Sequence, residues 1–218
     1  MRILDAAENA IADQGFAGAS LRHIVSEAKV NLATVYYYFG SKRGLLEAVL
    51  KRRFGPLRQE HLALLQEFEE AAKGKPLPVE KILEAMVSPP LRLAATAPIH
   101  RRAVTRLIGR IVGEPNEETQ EVLRSQHAEV RSAFLKALRR SLPKVPLPVL
   151  QWRLEFIWGA LAFTLCNPRR IELETHGKCD PADAATVQRQ MVRFFAPGFK
   201  EPVSTATSEI GKPRFASI

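Results

Sequence analysis

Side chains able to bond nucleic acid are concentrated in one short stretch of this chain of 218 residues. The stretch offers amide, hydroxyl, phenol and ammonium groups together with small apolar groups, on Asn31, Leu32, Ala33, Thr34, Tyr36, Tyr37, Tyr38, Ser41 and Lys42. Hydroxyls, amides and cations bond phosphate oxygens, while small apolar groups meet thymine methyls. These residue types favour a surface that contacts the bases and phosphates of DNA.

A short helix is expected just before this stretch. Ser20 is a natural N-cap, since its hydroxyl can accept a hydrogen bond from a first-turn amide. The apolar residues that follow have the spacing of one helical face, at Leu21, Ile24, Val25 and Ala28. The pattern predicts a helix with one buried face, followed by a tight connection around Val30.

A second helix, capped by Asn31, is expected to carry the candidate contacts. Its apolar residues Leu32, Val35 and Phe39 share one side at about 100° per residue. The outward positions are Ala33, Thr34 and Tyr37, with Tyr36 and Tyr38 on the flanks. Aromatic residues at helical spacing more often belong to a core. Three consecutive ones, however, spread over about 200° of a helix, so at least one phenol must face out.

A third helix is expected to begin at Ser41, another natural N-cap. Lys42 and Arg43 then fall in its first turn, where the helix dipole disfavours cations. A nearby negative charge would resolve this conflict. We therefore predict a DNA phosphate at this helix N-terminus, held by backbone amides and by Lys42.

The overall charge agrees with a polyanionic partner. The formal net charge is +9. A basic surface also suits anionic lipid or simple solubility, so charge alone is weak evidence. Asp5 and Glu8 lie where a signal peptide would be apolar, and the longest apolar run, residues 156–166, is shorter than the ~20 residues of a membrane span. We expect a cytoplasmic protein that does not enter membranes.

Patterns typical of catalytic or metal sites do not occur in the sequence. The five histidines have no metal-ligand spacing, and the two cysteines, Cys166 and Cys179, fit free thiols better than a disulfide. There is no glycine-rich phosphate loop and no nucleophile elbow. We therefore expect no enzyme activity, no metal and no cofactor.

The remainder of the chain has helical periodicity and no alternating strand pattern, so we predict an all-α fold. The expected domains are residues 1–50, a DNA-binding domain, and residues 51–196, a larger helical domain for ligand binding and dimerisation. Residues 197–218 are expected to form a flexible tail. Gly55-Pro56 is expected to end one helix and begin the next, and Pro89-Pro90 to end or bend another.

One helix of the larger domain, within residues 151–166, is apolar nearly all round. Trp152, Phe156, Gly159 and Phe163 form one stripe, and other apolar side chains cover most of the rest. Such a helix must be covered on more than one side. A second subunit could cover the stripe, or the helix could be the central core helix of a monomer.

Residues 3–50 resemble the N-terminal domain of TetR-type transcriptional regulators. The resemblance lies in a first helix with Leu4, Ala7, Ile11, Gly15 and Phe16, in Ser20–Ile24, in Thr34–Phe39 and in Ser41-Lys42. The resemblance implies that the helix after Asn31 enters the major groove and that Lys42 contacts phosphate. The implied DNA-binding residues are Ser20, Asn31, Leu32, Ala33, Thr34, Tyr36, Tyr37, Tyr38 and Lys42. Two positions depart from the family: Lys29 replaces a frequent Gly, and Ala33 a frequent Gly or Pro.

The same resemblance implies a homodimer on a near-palindromic operator of double-stranded DNA. Its interface would be a four-helix arrangement built from residues 148–166 and 180–196 of each subunit. A narrower similarity, in residues 30–33, 39–42, 54–56 and 142–146, is to the PsrA-type branch of regulators of fatty-acid metabolism. It implies a long-chain fatty acid or acyl-CoA as the effector.

We therefore expect a repressor that an apolar or amphipathic effector releases from DNA. The expected ligand residues are Leu107, Ile111, Phe134, Trp152 and Phe156 around the acyl chain, with Arg106 or Arg110 at its anionic head. The alternatives are an effector-independent, nucleoid-type DNA-binding protein, an activator of the same fold, and a helical enzyme, for which we find no titratable cluster.

Overall fold

The fold is all-α, as predicted, in the part of the chain that the structure describes. This computed structural model describes residues 2–96, 106–107, 109–111, 113–114 and 116–202. Every regular element in these ranges is a helix, with no strand among them. Two separate hydrophobic cores result, one around the N-terminal helices and one in the larger C-terminal part.

The N-terminal domain packs three short elements against the start of a long helix. They are α1 (Arg2–Gly18), α2 (Leu21–Ala28), α3 (Leu32–Phe39) and α4 (Lys42–Ala71). Side chains from all four fill the core, including Ile11, Phe16, Ile24, Val35, Leu45 and Leu46. The N-terminal helix-turn-helix domain predicted from the sequence is therefore confirmed. Helices α2 and α3 form the helix-turn-helix.

The long helix α4 is continuous through Gly55-Pro56, so the expected helix end there is wrong. Pro56 is exposed, while Phe54, His61 and Leu65 are buried on the other side of the helix. The apolar stripe thus crosses the proline without interruption. Packing on both sides of Pro56 offsets the one hydrogen bond that proline removes. The predicted domain boundary after residue 50 consequently lies inside one helix.

Five further helices lie entirely within the described ranges of the larger part. They are α5 (Val79–Thr96), α6 (Glu117–Ser141), α7 (Leu147–Cys166), α8 (Pro168–Glu174) and α9 (Ala184–Lys200). Helix α5 continues through Pro89-Pro90, so the prolines do not end it. Helix α9 continues through Pro197, and Phe199 is buried, so the flexible tail does not begin at residue 197. The rest of the predicted tail, residues 203–218, lies outside the described residues.

The larger core is built from α5, α6, α7 and α9, together with Leu65 of α4. Its fully buried side chains include Ile82, Met86, Phe134, Leu138, Leu154 and Ile157. His61 of α4 lies beside this core, with its ring Nε2 2.8 Å from the carbonyl oxygen of Met86. Burial lowers the pKa of His61 and so favours a neutral ring, although the hydrogen bond to Met86 acts in the opposite direction.

The helix expected over residues 99–112 falls partly outside the described residues. Those of its residues that are described, 106–107 and 109–111, are helical. They lie against the N-terminal domain, because Leu107 and Ile111 belong to that domain's core. Leu107 and Ile111, two of the predicted ligand residues, therefore lie in the N-terminal core.

Candidate DNA-binding surface

The turn between α2 and α3 is held by the backbone and costs conformational strain. Lys29 has φ 55° and ψ 47°, which is the left-handed conformation. The amide of Val30 donates to the carbonyl of Val25 at 3.0 Å and closes the turn. A non-glycine residue pays roughly 1–2 kcal/mol in this conformation. Lys29 thus adopts a left-handed conformation that a glycine would adopt with less strain.

Two of the three predicted caps make their side-chain hydrogen bonds. The amide of Thr34 donates to the Asn31 side chain at 3.2 Å, and the amide of Gly44 donates to the Ser41 hydroxyl at 3.0 Å. Ser20 occupies the N-cap position of α2, but its side chain makes no capping hydrogen bond. Asn31 therefore fixes the start of the candidate recognition helix α3. Ser41, just beyond the end of α3, caps the next helix.

Helix α3 turns its three tyrosines to solvent. Tyr36, Tyr37 and Tyr38 are exposed, Tyr37 to 82%, whereas Val35 is fully buried. The rings of Tyr37 and Tyr38 are 5.0 Å apart in an edge-to-face arrangement. The tyrosines are therefore not core residues. Ala33 is exposed as well, while Thr34 and Leu32 are half-buried.

The two cations at the start of α4 already have partners within the chain. The Lys42 ammonium donates to the carbonyl of Ala17 at 3.1 Å and lies 4.8 Å from the centre of the Phe16 ring. Arg43 pairs with Glu121 of α6 at 2.7 Å and with Glu47 at 3.1 Å. These contacts resolve the predicted conflict with the helix dipole without a phosphate. An ammonium has three donors, so Lys42 keeps donors for a further acceptor.

The pair of Arg43 and Glu121 also joins the two parts of the chain. The hydrogen bond from Arg43 lowers the pKa of Glu121, and the same bond raises the pKa of Arg43. Both side chains are substantially exposed, so solvent weakens the pair. The pair links the start of α4 to α6. It could not be foreseen from the sequence, since the two residues are far apart along the chain.

Residues between α5 and α6 contact the end of α1. The Glu114 carboxylate accepts the amide of Phe16 at 2.9 Å and the amide of Ala17 at 3.0 Å. Arg110 donates to the carbonyl of Gln14 at 3.2 Å. Arg106 pairs with Asp13 at 3.0 Å. We call Arg106, Leu107, Arg110, Ile111 and Glu114 the bridging residues.

Gly15 makes this contact possible. Its φ of 77° and ψ of 169° interrupt the helical geometry of α1. An added Cβ would lie 3.0 Å from Arg110 Nε and 3.2 Å from Glu114 Oε1. A side chain at position 15 would therefore be strained and would press against the two polar groups that contact α1.

The residues predicted to surround an effector do not form one site. Leu107 and Ile111 lie in the N-terminal core, whereas Phe134 lies in the larger core. Arg106 and Arg110 contact α1, as described above, so neither faces a cavity with the other residues. Trp152 and Phe156 are on the surface. The prediction of one shared pocket is wrong, because the residues were grouped by their apolar type and not by the helix faces on which they lie.

The predicted apolar stripe on α7 is exposed. The buried side of α7 carries Leu150, Leu154, Ile157 and Leu161. The opposite side carries Trp152 and Phe156, which are 55% and 59% exposed, and the partly exposed Phe163. Phe194 of α9 is 77% exposed as well and was missed from the sequence. We call Trp152, Phe156, Phe163 and Phe194 the aromatic stripe.

The described ranges contain neither a metal site nor a membrane-spanning helix. No group of His, Cys, Asp and Glu side chains there could hold a metal ion. None of the helices in these ranges combines the length and the apolar character needed to cross a membrane. Cys179 is an exposed free thiol, and burial raises the pKa of Cys166.

A helix-turn-helix with an exposed aromatic recognition helix, joined to a helical domain, is the architecture of a DNA-binding regulator. The family comparisons agree. Residues 3–49 match the family described as bacterial regulatory proteins, tetR family. Residues 84–198, more than half of the chain, match the tetracyclin repressor-like C-terminal domain. The chain belongs to the TetR family of transcriptional regulators, whose members are regulators and not enzymes.

A curated relative is the HTH-type transcriptional regulator BetI of Rhizobium meliloti (strain 1021), which is 29% identical over 141 residues. The match covers 65% of this chain and 64% of that relative, so it spans less than two thirds of either.

Solved structures of two fatty-acid regulators are similar in fold. The fatty acid degradation regulator FadR from Bacillus halodurans has a TM-score of 0.61 and 18% identity, covering 90% of this chain and 97% of that one. FadR from Bacillus subtilis, in complex with stearoyl-CoA, has a TM-score of 0.52 and 19% identity, covering 91% of this chain and 98% of that one. At such identity the likeness shows the fold alone.

Proposed function

We propose that the chain represses transcription by binding a near-palindromic operator as a homodimer, with α3 of each subunit in successive major grooves. The observation that carries the proposal is the exposure of all three α3 tyrosines beside a buried Val35. The proposed DNA contacts are Ser20, Asn31, Leu32, Ala33, Thr34, Tyr36, Tyr37, Tyr38 and Lys42. A protein that binds DNA in this way acts in the cytoplasm.

The aromatic stripe supports a dimer built from α7 and α9. Large apolar side chains that share an exposed face are typical of interaction sites. The stripe lies opposite the face that α7 buries in its own subunit, so a second subunit could cover it without disturbing the core. Gly159 lies exposed within the stripe and would permit close approach of the partner helix.

The effector in this proposal is a long-chain fatty acid or acyl-CoA that favours the DNA-incompetent state. The similarity in fold to regulators of fatty-acid metabolism supports this class of ligand. A roughly 100-fold release requires about 2.7 kcal/mol of difference in affinity between the two states. The bridging residues offer a route for this energy, because they contact α1 of the DNA-binding domain directly.

A second candidate function is DNA binding without an effector. It is favoured by the dense packing of the larger core, where Phe134, Leu138, Leu154 and Ile157 are all fully buried. Under this alternative the C-terminal part serves dimerisation only.

Selection of duplexes from a random pool tests the proposed DNA binding. The expected result is one near-palindromic sequence whose half-sites are about one helical turn apart. Fluorescence anisotropy then compares that duplex with a scrambled one, with and without a long-chain acyl-CoA. Equal affinity for both duplexes would contradict sequence-specific binding. Specific binding that no acyl ligand weakens would support the effector-independent alternative.

A further inference from the structure

A basic groove lies at the end of the larger part, where α6 ends and α7 begins. Its volume is about 690 Å³, within the range of small-molecule sites. Three cations line it, Lys136, Arg139 and Arg140. The apolar part of its lining is Leu135, Leu142, Pro143, Val145, Pro146 and Leu147. None of the described residues that line it is acidic.

The positive charge of the basic groove is only partly neutralised by the protein. Arg140 lies 3.5 Å from Glu69 and donates to the carbonyl of Gly74 at 3.3 Å. Lys136 and Arg139 are exposed, and no carboxylate among the described residues lies within 4.0 Å of either. The groove therefore offers two cations whose charge a ligand could pair.

The helix dipole does not explain this arrangement by itself. Arg139 and Arg140 lie in the last turn of α6, where cations are favoured. Lys136 lies one turn earlier. The dipole also gives no reason for the apolar lining beside the cations, which includes the partly exposed Leu142 and Val145. A groove lined by cations and apolar side chains is complementary to an anionic head group attached to an acyl chain.

We propose that the basic groove binds the polar end of an anionic amphiphile, with Lys136 and Arg139 pairing with its phosphate or carboxylate group. Leu135, Leu142 and Val145 contact the adjoining part of the acyl chain. This assignment rests on the effector half of the proposed function. It replaces Arg106 and Arg110 as the receptors of the anionic head, since those two arginines contact α1.

Calorimetric titration of the full chain tests the groove with three ligands: stearoyl-CoA, coenzyme A and stearate. We compare Lys136→Glu and Arg139→Glu with Lys178→Glu, which reverses the charge of an exposed lysine outside the groove. Each groove variant should weaken binding of the acyl ligand about five- to tenfold, whereas Lys178→Glu should not. High salt screens exposed charges and should weaken binding of the acyl ligand to the wild type. The groove variants should show a smaller loss of affinity at high salt.

The three ligands distinguish the source of the anionic head. Tighter binding of stearoyl-CoA than of stearate would mean that the groove binds a phosphate head group. The reverse order would mean that it binds a carboxylate. Acyl-ligand affinity that is equal in the wild type and both groove variants would overturn the groove, and if the ligand still released the operator, the proposed function would stand. If no acyl ligand bound the wild type, both the groove and the effector half would be overturned. Operator binding would remain measurable without ligand.

Discussion

The carboxylate of Glu114 accepts a hydrogen bond from the backbone amide of Phe16 at 2.9 Å, although the two residues belong to different parts of the chain. Its other oxygen accepts the amide of Ala17 at 3.0 Å. These amides follow Gly15, where α1 loses helical geometry, so they resemble the unpaired amides at a helix start. A carboxylate is favourable at such a position. Glu114 thus caps the last turn of α1 from outside the DNA-binding domain.

Replacing Glu114 should destabilise the fold. Glu114→Ala removes the acceptor of both amides and should lower the free energy of unfolding by about 1 kcal/mol, the usual effect of losing a cap. Glu114→Gln keeps one amide oxygen and should lose less. Urea denaturation measures both, with Glu174→Ala as control, because Glu174 pairs with Arg170 of its own helix. Equal stability of the three variants and the wild type would contradict this role.

Lys29→Gly should stabilise the turn before the recognition helix. Glycine relieves the left-handed strain at Lys29 but makes the unfolded chain more flexible, so the net gain should be about 0.5–1 kcal/mol. Lys29→Ala removes the same charge and keeps the strain, and should leave stability unchanged. Thermal unfolding of the two variants separates backbone strain from charge. If Lys29→Gly were no more stable than Lys29→Ala, the strain would be absent.

Lys42→Gln tests the proposed phosphate contact without removing the internal one. Glutamine can still donate to the carbonyl of Ala17, which Lys42 contacts, but carries no charge. The slope of log affinity against log salt should fall by about 0.9 per subunit, equally for specific and non-specific DNA, at unchanged melting temperature. Lys42→Ala should show the same fall in the salt slope. It should also lose some stability, because it no longer donates to Ala17. An unchanged salt slope in Lys42→Gln would limit Lys42 to its contacts with α1.

Phe156→Arg should produce monomers. It places a charge within the aromatic stripe, where an apolar partner surface is expected. Leu173→Arg is a matched control, because Leu173 is also 59% exposed but lies on α8, outside the stripe. Sedimentation velocity should show a dimer for the wild type and for Leu173→Arg, and a monomer for Phe156→Arg. A dimer in all three proteins would mean that α7 is not the interface.

The sequence predicted local elements well because their signals are local. Asn31 and Ser41 cap their helices as expected. The spacing of apolar residues on α3 correctly predicted a buried Val35 and an exposed Tyr37, but Thr34, predicted to face outward, is half-buried. Pro56 was misjudged because the roughly 3 kcal/mol by which an interior proline weakens a helix can be offset by packing from distant segments. That packing is not visible along the chain.

Long-range pairings were beyond prediction from this sequence. Leu107 and Ile111 look like any apolar helix face, and periodicity does not tell which core such a face enters. The partner of Arg43 is likewise set by the fold, since Glu121 belongs to another part of the chain. A negative charge was predicted beside the first-turn cations. The protein supplies one for Arg43 in Glu121, whereas Lys42 donates to a backbone carbonyl.

Tyr37→Ala tests the central claim, that α3 is the surface that recognises DNA. Tyr37 is 82% exposed and contributes little to the core, so the melting temperature should not change. Leu173→Ala removes another exposed large apolar side chain, on α8, and serves as the control. Fluorescence anisotropy on the selected operator should show an affinity loss of roughly 1–3 kcal/mol for Tyr37→Ala and none for Leu173→Ala. Wild-type affinity of folded Tyr37→Ala for that operator would contradict the account.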